Sequence, residues 1–251
     1  MPADEFRCHE TVGTALGILT LTGGVDVSVK GVSYWRGDGA RLAWAVFTHA
    51  QSQLLACGFS PMMPSHTAIG YYGDQILDAE ELPIRVCAFA PCLPSAADQR
   101  THRTHQVEQI VLCRPEDSGH WFDECQRNVE DILRDLELPY RVARVCIGDL
   151  GAPAHKAYET SCWFPGAGVY RKTHSNSHFT DYQARRRKIR YLDRGRVAQP
   201  HTLAATGVTD GVVLAILENH VRPDGSVRIP DALRPYLGGQ KLIEPRATRA
   251  R

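Results

Sequence analysis

Histidine supplies the side chains in this sequence most suited to proton transfer or metal ligation. His66, His102, His105, His174 and His178 are five of its 11 histidines. An imidazole that titrates near neutrality fits either role. His174 and His178 lie four residues apart around what reads as the end of a strand. The plainer alternative is that these histidines are solvated loop residues. Thiol chemistry has less to build on. The eight cysteines, Cys8, Cys57, Cys87, Cys92, Cys113, Cys125, Cys146 and Cys162, include no Cys-x-x-Cys pair. Most sit inside apolar patterns, as small buried hydrophobes do in a reducing, cytoplasmic setting.

The elements that must position these groups can be read from periodicity. The central stretch runs from Arg141 to Asp193. Val142, Arg144 and Cys146 alternate there with Ala143, Val145 and Ile147, a period of two that predicts a strand. Trp163-Phe164-Pro165 closes a second strand, and Gly166-Ala167-Gly168 turns into a third, Val169 to His174. Asp181 to Arg186 reads as a helical turn leading into Lys188 to Tyr191. Upstream, the spacing predicts a short helix over Thr11–Leu21, a strand over Gly31–Trp35 and a helix over Ala40–Cys57 stopped by Gly58. Arg85–Phe89 and His105–Cys113 read as core strands. Asp117–Leu136 is the strongest helix: Trp121, Phe122, Cys125, Val129, Ile132, Leu133 and Leu136 form one apolar stripe. His201–Ala205 reads as a buried strand, Gly211–Asn219 as a buried helix and Ile229–Gly239 as a short closing helix.

Strands, a long helix and further strands predict an α+β domain on a mostly antiparallel sheet. Its expected extent is residues 1–243, with a basic, disordered tail at 244–251. With 251 residues, 43% hydrophobic and 23% charged, there is ample chain for a core. A net charge of +1 gives no general pull toward nucleic acid or membranes. No apolar run approaches the ~18 residues that span a bilayer, and the charged N-terminus MPADEFRCHE has no signal-peptide core.

The segments VCIGDLG, WFPG, VYR and YQARRRKIRY, with LAILEN and RPDGSVRIPDALRPYLGG, resemble the catalytic core of a seryl-tRNA synthetase, a class II aminoacyl-tRNA synthetase. The match runs from about His9 to Ile243. It implies a six- or seven-stranded antiparallel sheet flanked by helices, and a homodimer formed through Gly37–Cys57. It also implies a truncated version that lacks the N-terminal helical arm for tRNA, with a second deletion near Met62–Ala68. The basic run Arg185-Arg186-Arg187-Lys188 then reads as support for a sheet edge rather than as an RNA patch.

Residue by residue, the resemblance places changed groups in the substrate site. Pro94 stands where an arginine would grip the α-phosphate of ATP, and Ala96 where a glutamate is expected. Lys172 replaces a magnesium-linked glutamate, and Val212 the arginine for the γ-phosphate. Arg103, Glu108, Ser175 and Thr206 remain as substrate-binding candidates, with Lys172 beside them. His66 and His174 form the candidate acid–base or metal pair of a rebuilt cleft. Losing one preorganised donor to a developing anion costs about two to three powers of ten in rate. Several losses together argue against ATP and magnesium, and no cofactor or metal is assigned. The expectation is a degenerate paralogue that has lost serine activation and tRNA charging. It would serve as a repurposed biosynthetic enzyme or a binding partner for an amino-acid-like molecule, an aminoacyl group or a true synthetase. The alternative is ATP-dependent activation of an amino acid with transfer to a carrier protein or small molecule.

Overall fold

The structure, a computed structural model, describes residues 8–22, 32–92 and 104–245. In chain order the elements are α1 (His9–Ala15), β1 (Leu19–Thr22), β2 (Val32–Trp35), α2 (Asp38–Ala56), β3 (Ser60–Met62), β4 (Ile76–Asp78), β5 (Ile84–Cys92) and β6 (Thr104–Cys113). They continue with α3 (Ser118–Asp135), β7 (Tyr140–Arg144), β8 (Lys156–Phe164), β9 (Val169–His178), α4 (Tyr182–Arg187), β10 (Arg190–Asp193), β11 (Arg196–Ala198), β12 (His201–Thr209) and α5 (Asp210–Asn219). Two short strands close the series, β13 (Val227–Arg228) and β14 (Leu242–Ile243). Seven of these strands form the main sheet in the order β3-β5-β6-β12-β9-β8-β7, antiparallel except for the pair β3–β5. This is the α+β architecture that the strand and helix patterns predict.

One face of the sheet carries the main core. Phe122, Cys125, Val129, Ile132, Leu133 and Leu136 of the α3 stripe are fully buried there, as the helical spacing requires. Leu42, Val46, Ala50 and Leu54 of α2 and Val212, Val213, Ile216 and Leu217 of α5 join them. Each such side chain contributes about 1.5–3 kcal/mol when fully buried. Polar ties fix the register of α3 beneath the sheet. Gln109 donates to the Cys125 carbonyl at 3.1 Å and accepts from Asn128 at 2.8 Å, and Asn176 donates to the Phe122 carbonyl at 2.8 Å. The opposite face is only partly covered. There Val86, Ala88, Ile110 and Leu112 pack against Ile69, Tyr72, Ala184, Ile189 and Tyr191.

Two predicted elements differ. The apolar stretch Thr11–Leu21 is not one helix: α1 ends at Ala15, Gly17 takes φ 65°, and Leu19–Thr22 turns back to pair with β2. Apolar content alone does not separate a buried helix from a buried strand. The alternation over Val142–Ile147 also stops early. β7 ends at Arg144, and Ile147–Asp149 is a 3-10 turn with Ile147 90% exposed. β7 has a single neighbour, and its last pair is Arg144 with Tyr158, near the start of β8. Cys57 and Cys146 are exposed, whereas Cys87, Cys113, Cys125 and Cys162 are buried in the manner predicted for most of the cysteines.

A buried carboxylate ties the N-terminal helix to the core. Glu218 of α5 is 2% exposed and accepts from His9 N at 3.0 Å, His9 Nδ1 at 2.5 Å and Gly166 N at 2.8 Å. Burial pushes its carboxyl up, but these bonds outweigh burial and hold it below the usual carboxylate range. Removing one partner of a buried pair costs about 3–5 kcal/mol. Glu218→Ala is therefore expected to lower the urea midpoint by that free energy divided by the m-value, and to expose α1 to proteolysis. A midpoint unchanged from the parent chain would refute this role.

Candidate active site

The part of the second face that no described residue covers presents a row of polar side chains across four strands. Glu159 of β8 lies opposite Ser175 of β9. The Ser175 backbone N–H reaches Thr206 Oγ1 of β12 at 3.4 Å. Thr206 in turn lies opposite Glu108 of β6. Side chains alternate between faces along a strand, so these four share the open face because each sits at the same phase of the pleat. The phase is adjusted by two bulges. β9 pairs His174 with Thr160 and Lys172 with Ser161, which leaves Thr173 as an extra residue. β12 has a matching irregularity at Gly207, between Thr206 and Val208.

The bulge at Thr173 divides β9. Thr173 and His174 are both buried toward α3, whereas Lys172 emerges on the open face. There Lys172 Nζ lies 2.5 Å from Glu159 Oε1. Trp163 and Tyr170 pack at a tilt beside them with ring centroids 5.0 Å apart, and the Arg141 guanidinium covers Tyr170 at 4.8 Å. At the other end of the row, burial pushes the half-buried Glu108 carboxyl up to about 7. Glu108 can therefore exchange a proton near neutral pH. It can donate a hydrogen bond when protonated and hold an ammonium group when ionised.

The candidate pair His66 and His174 is not brought together. His66 is exposed in the loop ahead of Ala68–Tyr72, 3.4 Å from Thr67 Oγ1, on the side of the partly covered face. His174 is 2% exposed beneath the sheet, with Nδ1 2.8 Å from Thr173 Oγ1 and no hydrogen-bond partner for Nε2 among the described residues. Burial drives its imidazole down to about 3. His105 stacks on Phe89 at 5.7 Å, and its backbone N–H donates to Asp210. Pro94, Ala96, His102 and Arg103 lie outside the described residues. Among the described residues no group of three or more His, Cys, Asp or Glu side chains could hold a metal ion.

A different histidine group does form. His178 sits between His155 and His201, with ring centroids 5.7 and 5.4 Å away, and its Nε2 is buried without a partner. His201 Nδ1 is 2.9 Å from Ser118 Oγ. Sequence spacing hides this group, because His155, His178 and His201 come from three segments that meet only at one end of β8, β9 and β12.

The comparisons with known proteins bear on this geometry directly. Residues 60–220 match the tRNA synthetase class II core domain (G, H, P, S and T). The chain belongs to this class II core family. It is 41% identical to the serine–tRNA ligase of Pyrococcus furiosus over 71% of its own length and 42% of that protein's. The structure superposes on seryl-tRNA synthetase from Pyrococcus horikoshii, solved with ATP, with a TM-score of 0.89 and 32% identity, covering 97% of this chain and 65% of that one. It is also similar to the cytoplasmic serine–tRNA ligase of Naegleria fowleri, solved with AMP (TM-score 0.86, 27% identity, 96% and 68% coverage). The chain thus spans less than half the length of the curated relative it matches.

Within this class II core, Val212 is fully buried in the main core and does not face the open row. The half-buried position at the start of α5 is Gly211, where a Cβ would meet Thr173 and Thr209 at 3.4 and 3.3 Å. Neither residue presents a side-chain donor to the cleft.

The buried histidines set a pH dependence. Burial, followed by the neighbouring His201, His155 and Lys156, pushes His178 down to about 4, and His174 lies lower still. A base held neutral in the fold takes up its proton in the unfolded chain first. The stability it permits is thus full above pH 6.5 and is lost as the pH falls from there toward 4. Between pH 7.5 and 5, His178 alone should remove about 2 kcal/mol. His178→Phe is expected to flatten the urea-midpoint profile over that interval, and an unaltered slope would rule the assignment out.

Proposed function

We propose that this chain is a seryl-tRNA synthetase-like protein that has lost ordinary ATP-dependent serine activation and tRNA charging, and that its cleft holds an amino-acid-like molecule or aminoacyl group without magnesium. The observation that carries this reading is the Lys172–Glu159 ion pair on the open face, 2.5 Å long. The resemblance assigns the Lys172 position to a metal-linked carboxylate. An ammonium group there repels a divalent ion and occupies the carboxylate nearest to it. Pro94, which the resemblance places where an arginine would grip the α-phosphate, and Gly211, which offers no side chain at the cleft end of α5, support the same reading. Glu108, Thr206 and Ser175 remain as hydrogen-bonding groups for a small polar ligand, with the ammonium of an amino acid best matched to Glu108.

The test is amino-acid-dependent ATP–pyrophosphate exchange with all twenty amino acids, paired with calorimetric titration of ATP in the presence and absence of magnesium. No exchange and no magnesium-dependent ATP binding are expected. Exchange with any one amino acid would overturn the reading in favour of activation with transfer to an acceptor other than tRNA, such as a carrier protein.

A homodimer through α2 belongs to the same proposal. Trp44 is 68% exposed and Leu55 43% exposed on the outward side of this helix. Their exposure fits the dimer contact that the resemblance assigns to this helix. Sedimentation should give twice the chain mass, and Trp44→Glu should give the monomer. A monomeric parent chain would end this part of the proposal. Among the described residues no helix is long and apolar enough to cross a membrane.

A further inference from the structure

Among the described residues the main sheet ends in an open edge at β7, and we propose that this edge captures an extended acidic segment of a partner protein as an added strand. Trp163 N donates to the Pro139 carbonyl, and Val145 N to the Ala157 carbonyl. Antiparallel partners alternate between bonded and non-bonded positions, so the odd-numbered residues of β7 bond inward to β8. The N–H and C=O groups of Tyr140, Val142 and Arg144 therefore point away from the sheet. Such a row is a ready template for another strand.

Two observations specify the occupant. Arg141 and Arg144 are both exposed, and neither has a carboxylate partner among the described residues. A second copy of this chain, paired antiparallel along the same edge, would bring four arginines together, which like-charge repulsion disfavours. An acidic strand would instead meet complementary charge. Beyond Arg144 the edge runs into a groove of about 700 Å³ that includes Ile147 and Leu150, with Lys156 at its rim. Ile147 is 90% exposed there, so the groove suits an apolar side chain following the acidic residues. Arg141 and Arg144 are three residues apart and so lie on opposite faces of the strand, and the occupant is thus an extended segment with two carboxylates three residues apart, one for each face, and an apolar residue at one end.

The experiment uses the full chain and a synthetic nine-residue peptide, Thr-Glu-Val-Thr-Glu-Val-Thr-Thr-Leu, labelled for fluorescence anisotropy. Saturable binding is expected. The same peptide, N-methylated on alternate residues so that its inward amides cannot donate, should bind at least tenfold more weakly in one of the two methylation phases. Val142→Pro removes the outward N–H of β7 and leaves the inward bonds in place, as an edge position tolerates. It should give a similar loss, and Arg144→Glu should weaken binding further at low salt. Absence of binding, or binding insensitive to both N-methylation and Val142→Pro, would overturn the proposal, since attraction of opposite charge alone needs no main-chain bonds. The methylated peptides test the unaltered protein, so the outcome does not depend on the folding of either variant.

Discussion

Thr173 is one residue more than β8 can pair, and its insertion into β9 sets which side chains reach the open face. A strand has a period of two, and one extra residue exchanges its faces from that point on. Without the bulge, and with the pairing from His174 to His178 kept, Lys172 would lie opposite Cys162 on the core face and would not share a face with Glu159. With it, Ser175 joins Glu159, Thr206 and Glu108 in one row. The second irregularity, at Gly207 in β12, lies close to the first. A Cβ there would meet the Val107 carbonyl at 3.2 Å and Leu54 at 3.3 Å, so the position favours a residue without one. The composition of the cleft thus follows from two local departures from regular pairing.

The electrostatics of the cleft follow from which groups are paired. Lys172 and Glu159 neutralise each other at a part-exposed site, where an ion pair contributes only about 0–1 kcal/mol to stability. The pair is accordingly weak as a structural device and large as an electrostatic one, because it replaces the net negative charge that would attract a divalent ion. Glu108, by contrast, has no cation beside it among the described residues, and burial alone raises its proton affinity. One end of the row is a compensated ion pair and the other an uncompensated carboxyl. In the proposed reading, a ligand with a single ammonium group would be drawn toward Glu108, since Lys172 repels it and Glu159 is occupied.

Much of this was legible in the sequence, and the parts that were not have physical reasons. The α3 stripe was readable because a helix repeats its pattern over eighteen residues against a single apolar surface. The segments around WFPG and LAILEN resemble the family strongly enough to place the sheet. Val212 was misplaced as a cleft residue because a shift of one position on a helix moves a side chain by about 100° and exchanges core for cleft. The pairing of His66 with His174 failed for the corresponding reason in a strand: the bulge that buries His174 has no sequence signature apart from its partner strand. The group His155, His178 and His201 depends on which strand ends meet, which periodicity does not encode.

The two faces of the sheet also explain how a chain can keep this fold while its cleft changes. Residues of one phase pack against α2, α3 and α5, where a cavity or an unpaired polar group costs several kcal/mol. Residues of the other phase meet solvent around the row from Glu159 to Glu108, where substitutions cost little in stability. The main core, including Val107, Leu203, Ala205 and Val208, is therefore held to tight packing, while Lys172, Ser175 and Thr206 on neighbouring positions of the same sheet are not. A family relationship read from the core states the fold reliably. Function must be argued from the open face, because packing of the core constrains it only weakly.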